Sequence, residues 1–179
     1  GAAAVLLASE DVVENYTDDP IRVAGVGAGS DRVGLFQRDT YTEVPASQYA
    51  ADRAYEMAGY GPDDLDFAEV HDCFAIAELM AYSDLGLCEP EEAGEFVASG
   101  KTKRDGEMPV NTSGGLKSKG HPIGATGAGQ VVEAFKQLSG KAGERQLDDP
   151  RIGLAHNVGG SGGAAVVHVF EKGMGGDAA

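Results

Sequence analysis

Three short stretches of this chain hold residue types that chemistry needs: His71-Asp-Cys-Phe (71–74), a glycine-rich run around His121 (111–129), and His156-Asn-Val-Gly-Gly (156–160). The middle one reads NTSGGLKSKGHPIGATGAG and runs directly into the apolar-periodic segment QVVEAFKQL, which predicts a helix. A glycine loop feeding a helix sets free backbone N–H groups and the positive end of a helix dipole beside whatever the loop presents. Here it presents His121, and histidine, as a residue type whose unperturbed pKa lies near neutrality, suits proton transfer or oxyanion binding. A Gly-His-Pro tight turn with no chemistry is the other reading, and the spacing alone leaves both open.

A chain of 179 residues with 42% hydrophobic content can bury one sizeable core. No apolar run approaches the length of a membrane span, and the start, GAAAVLLAS, lacks the basic residues of a signal peptide. The chain begins without methionine and enters that apolar run at once, which reads as a piece of a longer or processed product. Acidic residues outnumber basic ones 29 to 14, for a formal net charge of −15. That balance disfavours nucleic acid and anionic membranes as partners. The acids are spread along EDVVEN, GPDDLD, EPEEAGE and QLDDP rather than gathered in a tail, a pattern expected of a protein kept soluble at high salt, so a halophilic source is the expectation. Only Cys73 and Cys88 occur, with no C-x-x-C and no zinc-like spacing, which fits a reducing cytoplasm and implies no metal.

The elements that must position these residues follow from periodicity and breakers. Residues 2–8 read as a first strand and Ser9 as the cap of a short helix through about Asn15. IRVAGVGAG (21–29) reads as a strand; its G-x-G-x-G invites a dinucleotide reading, which Ser30 in the sixth position and the absence of a βαβ unit argue against. Pro45–Gly59 has helical spacing with Gly59 as its C′ cap. Residues 66–74 then read as a strand passing into a helix through about Leu85, and Glu91–Ala98 as a short helix or turn. The loop after it concentrates basic residues (Lys101, Lys103, Arg104), either as a solvated surface or as a cationic patch for a phosphorylated substrate. RIGLAHNV and GAAVVHVFEK read as a closing hairpin, and the tail from Gly173 as flexible. This alternation predicts an α/β layered domain.

HDCF (71–74), GGLKSKGHPIGATGAGQ (114–130) and HNVGGSGGA (156–164), in that order, resemble the C-terminal half of the thiolase family, closest to its sterol-carrier-protein and archaeal types. The resemblance implies a five-stranded mixed sheet with helices on both faces, one of two pseudo-symmetric halves. Under it, 1–18 is the remnant of the N-terminal half, 19–172 the C-terminal domain, and 173–179 a flexible tail. The helix after Gly129, with Val131, Val132, Ala134, Phe135 and Leu138, would then lie between the halves, and a dimer or tetramer is expected.

The activity so implied is acyl transfer between 3-ketoacyl-CoA and CoA, or the reverse Claisen condensation, through an acyl-cysteine and with coenzyme A as substrate rather than cofactor. His121 matches the residue that activates the nucleophile and binds a thioester oxyanion, with Gly120 beside it. His71 stands where many thiolases place the asparagine that holds a catalytic water. Most family members carry a second cysteine in a C-x-G loop; this chain has none there, and either Asn157 or His156 takes its place. Cys73 matches the cysteine thought to replace it, and two residues from His71 in a pleated strand it would share that residue's face. Gly159 and Gly160 would give backbone N–H groups to a second oxyanion hole. The nucleophilic cysteine belongs to the N-terminal half, so this chain alone is expected to be inactive and to need that half or a separate subunit. The alternative is a thiolase-like scaffold or carbon–carbon lyase subunit that works in a complex with a synthase or an acyl-CoA-binding partner.

Overall fold

The computed structural model describes residues 1–173. Four strands, β1 (Ile21–Ser30), β2 (Phe67–Glu69), β3 (Ile152–Gly159) and β4 (Ala164–Lys172), form one sheet in the order β1-β4-β3-β2. β1/β4 and β4/β3 are antiparallel and β3/β2 is parallel, so the sheet is mixed. Successive residues of β3 and β4 alternate between two cores, as a pleated strand requires. Leu154, Ala165, Val167 and Val169 face helices α2 (Pro45–Ala58) and α3 (Ala75–Asp84), while Ala155 and Phe170 face helix α6 (Thr126–Leu138) with its Ala134 and Leu138. Helices therefore cover both faces.

The G-x-G-x-G of β1 has a packing explanation. A Cβ on Gly25, Gly27 or Gly29 would land on the carbonyl oxygens of Ala54, Ala50 and Ala46 in turn, so three glycines two apart meet a helix ridge of alanines four apart. This backbone-on-backbone contact, not a nucleotide, is what the pattern serves. At its ends α2 behaves as the sequence predicts: Pro45 opens it, and Gly59 closes it at φ +74°. Asp84, at the end of α3, accepts from the Val44 amide (3.0 Å) and the Gln48 side chain (2.9 Å) at the same N-terminus.

Two expectations fail. The sheet has four strands rather than five, because its outermost position is a single bridge between Ala68 and Val110. Pro109 has no N–H to extend it, and Asn111 turns the backbone away at φ +53°. Nor is 2–8 a strand: no partner strand lies beside it among the described residues, and Leu6 and Leu7 are fully or largely exposed (102% and 80%). The short helix behind it, α1, is confined to Glu10–Val13. α4 spans Ala93–Ala98, and a short helix that periodicity does not announce, α5, spans Gly115–Lys119. Most of the expected flexible tail lies outside the described residues. No helix among them is long and apolar enough to cross a membrane.

Candidate functional site

β2 ends at Glu69, earlier than the alternation of 66–74 suggests, and the chain from Val70 to Phe74 is a loop. Its polar groups are taken up by the glycine-rich segment that follows β2 by some forty residues in sequence. Asn111 accepts the Val70 amide on Oδ1 (2.9 Å) and donates to Glu78 (3.0 Å). Asp72 accepts the Leu116 amide (2.7 Å), and Gly115, at φ +65°, lies so close to that carboxylate that a Cβ would collide with it. Glu69 accepts from the Ser113 amide (3.0 Å) and hydroxyl (2.5 Å), with the Lys119 ammonium 3.5 Å away. Burial pushes the Glu69 carboxyl upward, while Lys119 and Ser113 favour its charged form. These contacts stitch the His121 segment to the His71 loop before either imidazole is considered.

His71 and His121 meet edge to face, with ring centroids 4.9 Å apart and planes at 83°. His121 is exposed, on the turn that Gly120 makes possible at φ +84°, and its Nδ1 lies 2.6 Å from the hydroxyl of Thr126, the first residue of α6. The Thr126 hydroxyl also lies 3.2 Å from the Pro122 carbonyl; when it donates there, its lone pair receives an Nδ1–H and Nε2 of His121 is left as an acceptor. His71 is 6% exposed. Burial first, then the neighbouring His121 charge, pulls its pKa below the usual histidine range and favours the neutral ring. Its Nδ1 accepts from Asn157 Nδ2 (3.1 Å), which also donates to Gln130 Oε1 (2.9 Å).

Of the two residues offered for the vacant cysteine position, β3 register sets Asn157 beside His71 and His156 away from it. It points to the α6 face and joins this cluster, whereas His156 points to the α2 face, where Nε2 bonds Ser47 Oγ (2.8 Å) and Nδ1 has no partner. Burial drives the His156 pKa down to about 3, so it is a neutral core group. Gly159 and Gly160 sit exposed where β3 turns toward β4, Gly160 at φ +60°. The buried Arg38 side chain braces this turn by donating to the Ser161 carbonyl (2.6 Å). Cys73 is half-buried and makes no hydrogen bond among the described residues; since β2 has already ended, the pleat that would have set it on the face of His71 is absent. Cys88 is also half-buried, and its thiol is pushed up by burial. The basic loop is folded on the protein itself: Arg104 donates to the Glu144 carbonyl (2.6 Å) and Lys101 pairs with Glu107 (3.0 Å).

Sequence reasoning overlooked Glu69, Asp72, Thr126 and Gln130. The last two carried a readable signal, since polar residues four apart on the first turns of an amphipathic helix recur again at Glu133 and Gln137, all of them buried.

A model described as thiolase C-terminal domain-like matches residues 27–172. Acetyl-CoA acetyltransferase of Methanothermobacter thermautotrophicus is 46% identical over 172 residues, covering 96% of this chain and 45% of that protein. Sterol carrier protein 2 of Oryctolagus cuniculus is 40% identical over 189 residues, covering 97% of this chain and 32% of that protein. Among solved structures, the Ltp2-ChsH2(DUF35) aldolase superposes with a TM-score of 0.78 at 22% identity, over 90% of this chain and 42% of that one. A monomeric SCP2-thiolase-like protein of Mycobacterium smegmatis superposes with a TM-score of 0.61 at 20% identity, over 84% and 28%. The chain thus spans less than half the length of these curated relatives. Matched by that model over most of its length and by such relatives over nearly all of it, the chain belongs to the thiolase family, as its C-terminal-domain-like part.

Proposed function

We propose that this chain supplies the proton-transfer and oxyanion-binding side of an acyl-transfer site acting between 3-ketoacyl-CoA and CoA, by thiolysis or the reverse Claisen condensation. The observation that carries this reading is the pair of edge-to-face imidazoles, His71 and His121, each tied through Nδ1 to a different polar partner and each with no Nε2 partner among the described residues. A cysteine from the N-terminal half is the nucleophile. His121 Nε2 takes the thiol proton as the sulfur attacks the 3-keto carbon, and the carbon–carbon bond between C2 and C3 breaks. The electron pair passes to the leaving acetyl-CoA as its enolate, whose oxygen receives hydrogen bonds at the His71 side. The enolate carbon takes a proton from an acid group of this chain, whose conjugate base then takes the CoA thiol proton. The CoA sulfur attacks the acyl-cysteine, the acyl–cysteine bond breaks, the cysteine sulfur regains the proton held on His121, and the shortened acyl-CoA leaves. Asn157 cannot exchange a proton near neutrality, so the enolate proton is assigned to Cys73, on the loop of His71. Gly159 and Gly160 are assigned amide donation to the tetrahedral oxyanion at the acyl-cysteine, and Gly120 the backbone turn that brings His121 to the substrate.

The amide at position 157 favours one second reading, a carbon–carbon lyase subunit working with an acyl-CoA-binding partner, since retro-aldol cleavage needs a base and an oxyanion donor but no second thiol. One experiment separates the two: the full-length protein is given acetoacetyl-CoA with free CoA, and in parallel a 3-hydroxyacyl-CoA. Acetyl-CoA from the first supports acyl transfer. Turnover of the second alone would falsify it in favour of the lyase.

A further inference from the structure

The hydrogen bonds behind His71 have a fixed direction, which mere proximity would not give. Gln130, 2% exposed near the start of α6, sets its side-chain nitrogen against two main-chain carbonyls, of His156 (2.8 Å) and Glu69 (3.4 Å). Carbonyls only accept, so the Gln130 amide cannot turn over without placing oxygen against oxygen. Its Oε1 therefore faces Asn157, 2.9 Å away, and fixes the Asn157 nitrogen as donor. The other N–H on that nitrogen meets His71 Nδ1 at 3.1 Å, which must be a bare lone pair. A neutral imidazole with a bare Nδ1 carries its proton on Nε2. Among the described residues that atom has no hydrogen-bond partner, yet it is not among the buried unpaired atoms, so it reaches the surface on a ring that His121 meets edge to face.

We infer that Gln130 is a positioning residue: acting through Asn157, it holds His71 as the Nε2–H tautomer and so keeps a hydrogen-bond donor on the ring that meets His121. The other tautomer would present a lone pair to the same space and repel a developing oxyanion. Beside it, His121 takes the opposite polarity when Nδ1 donates to Thr126, whose hydroxyl then turns to the Pro122 carbonyl and leaves a lone pair on Nε2. One donor and one acceptor thus stand side by side, the arrangement a step needs when it removes a proton and builds negative charge on oxygen. The use of the donor rests on the acyl-transfer reading; the direction of the relay does not.

The test is long-range proton–nitrogen NMR of the full-length protein labelled at its histidine side chains, at a pH where His71 is neutral. The wild type should show His71 protonated at Nε2 alone. Gln130→Met, which keeps the length and apolar bulk but loses the amide, should show both tautomers. Its thiolysis kcat should fall with the lost Nε2–H fraction, by about twofold to tenfold, with KM within about twofold, as expected when a donor is only partly populated. A side chain that merely packs would lower Tm and leave the tautomer alone. Asn157→Asp places an acceptor opposite Nδ1 and should bring up the Nδ1–H signal, which keeps the test available if Gln130→Met fails to fold. An Nδ1–H in the wild type, an unchanged tautomer in Gln130→Met, or no Nδ1–H in Asn157→Asp would each overturn the inference. A wild type with the Nε2–H tautomer but no thiolysis supports the relay and removes the acyl-transfer reading, so the two failures are distinct.

Discussion

His156 and Asn157 are neighbours on β3, yet they belong to opposite faces of the sheet and to different kinds of structure. On the α2 face, His156 is enclosed beneath Ser47 and a ridge of alanines, one ring nitrogen has no partner, and its pKa falls to about 3. On the α6 face, Asn157 links a buried glutamine to a histidine whose far nitrogen opens outward. Both residues are polar and hydrogen-bonded. The difference lies in what covers them. α2 meets the sheet backbone to backbone and leaves no room for a ligand, whereas α6 starts beside the His121 turn, so its first residues reach the exposed imidazole. Under the proposed function one strand gives one face to stability and the other to chemistry, and substitutions on the two faces should separate into losses of fold and losses of rate.

The largest separation should come from His121→Ala in the full-length protein. Thiolysis kcat should fall on the order of a thousandfold, while Tm moves little because the ring is exposed. Steady-state rates and a melting curve check both halves of that statement. On the other face, Gly27→Val drives side-chain atoms into the Ala50 carbonyl of α2 and should cost about 3 kcal/mol or more in urea unfolding. Val26→Thr, one residue along on the exposed side of β1, should stay within about 0.5 kcal/mol. Ser47→Ala leaves both His156 nitrogens unpaired and should cost about 1–3 kcal/mol, with thiolysis unchanged within about twofold. A rate loss there comparable to that of His121→Ala would erase the distinction between the faces.

Acid should expose the same contrast more weakly. Below its ordinary value of 6.5 the unfolded chain protonates His156, while the folded chain resists until about pH 3. Stability should therefore decline as pH drops through that window, with a slope from this group of at most about 1.4 kcal/mol per pH unit. Asp84 acts in the opposite sense: burial raises its folded pKa to about 6, so between there and its ordinary 3.8 the folded state holds the extra proton. Urea unfolding against pH in the wild type and in His156→Gln isolates the first contribution, since the variant should lose that part of the acid slope. The smallest effect is expected from salt. We propose that the acidic surface, at −15, is adapted to saline solution, so Tm should rise by a few degrees between low and molar potassium chloride. A flat response removes the halophilic reading.

The parts of the molecule that were legible in the sequence are those with a strong local period or a local cap. α2 has its Pro45 start and Gly59 stop, α6 its apolar stripe, and β3 and β4 their hairpin with a glycine turn. The rest depends on contacts between distant residues. α5 owes its first turn to Asp72, more than forty residues earlier, and nothing within GGLKSK announces that. β2 stops short because the Asn111 side chain takes the Val70 amide that would have continued a ladder. Residues 2–8 have a strand's composition but no described neighbour to pair with. At the site, the imidazoles were found through their motifs, and which of His156 and Asn157 lies beside His71 needed the register of β3 against β4. Gln130 escaped notice because a polar residue inside an amphipathic helix acquires meaning only when its partners, here two carbonyls and an amide, are located.

The division between the faces rests on a chemical claim, that His71 and His121 serve a cysteine carrying the acyl group. Mass spectrometry of the full-length protein, quenched during turnover of acetoacetyl-CoA, tests this most directly. The expected result is an acetyl group on one cysteine outside this 179-residue sequence, accumulating far more slowly in His121→Ala. An acetyl group on Cys73 or Cys88, or turnover with no acylated cysteine at all, would contradict it.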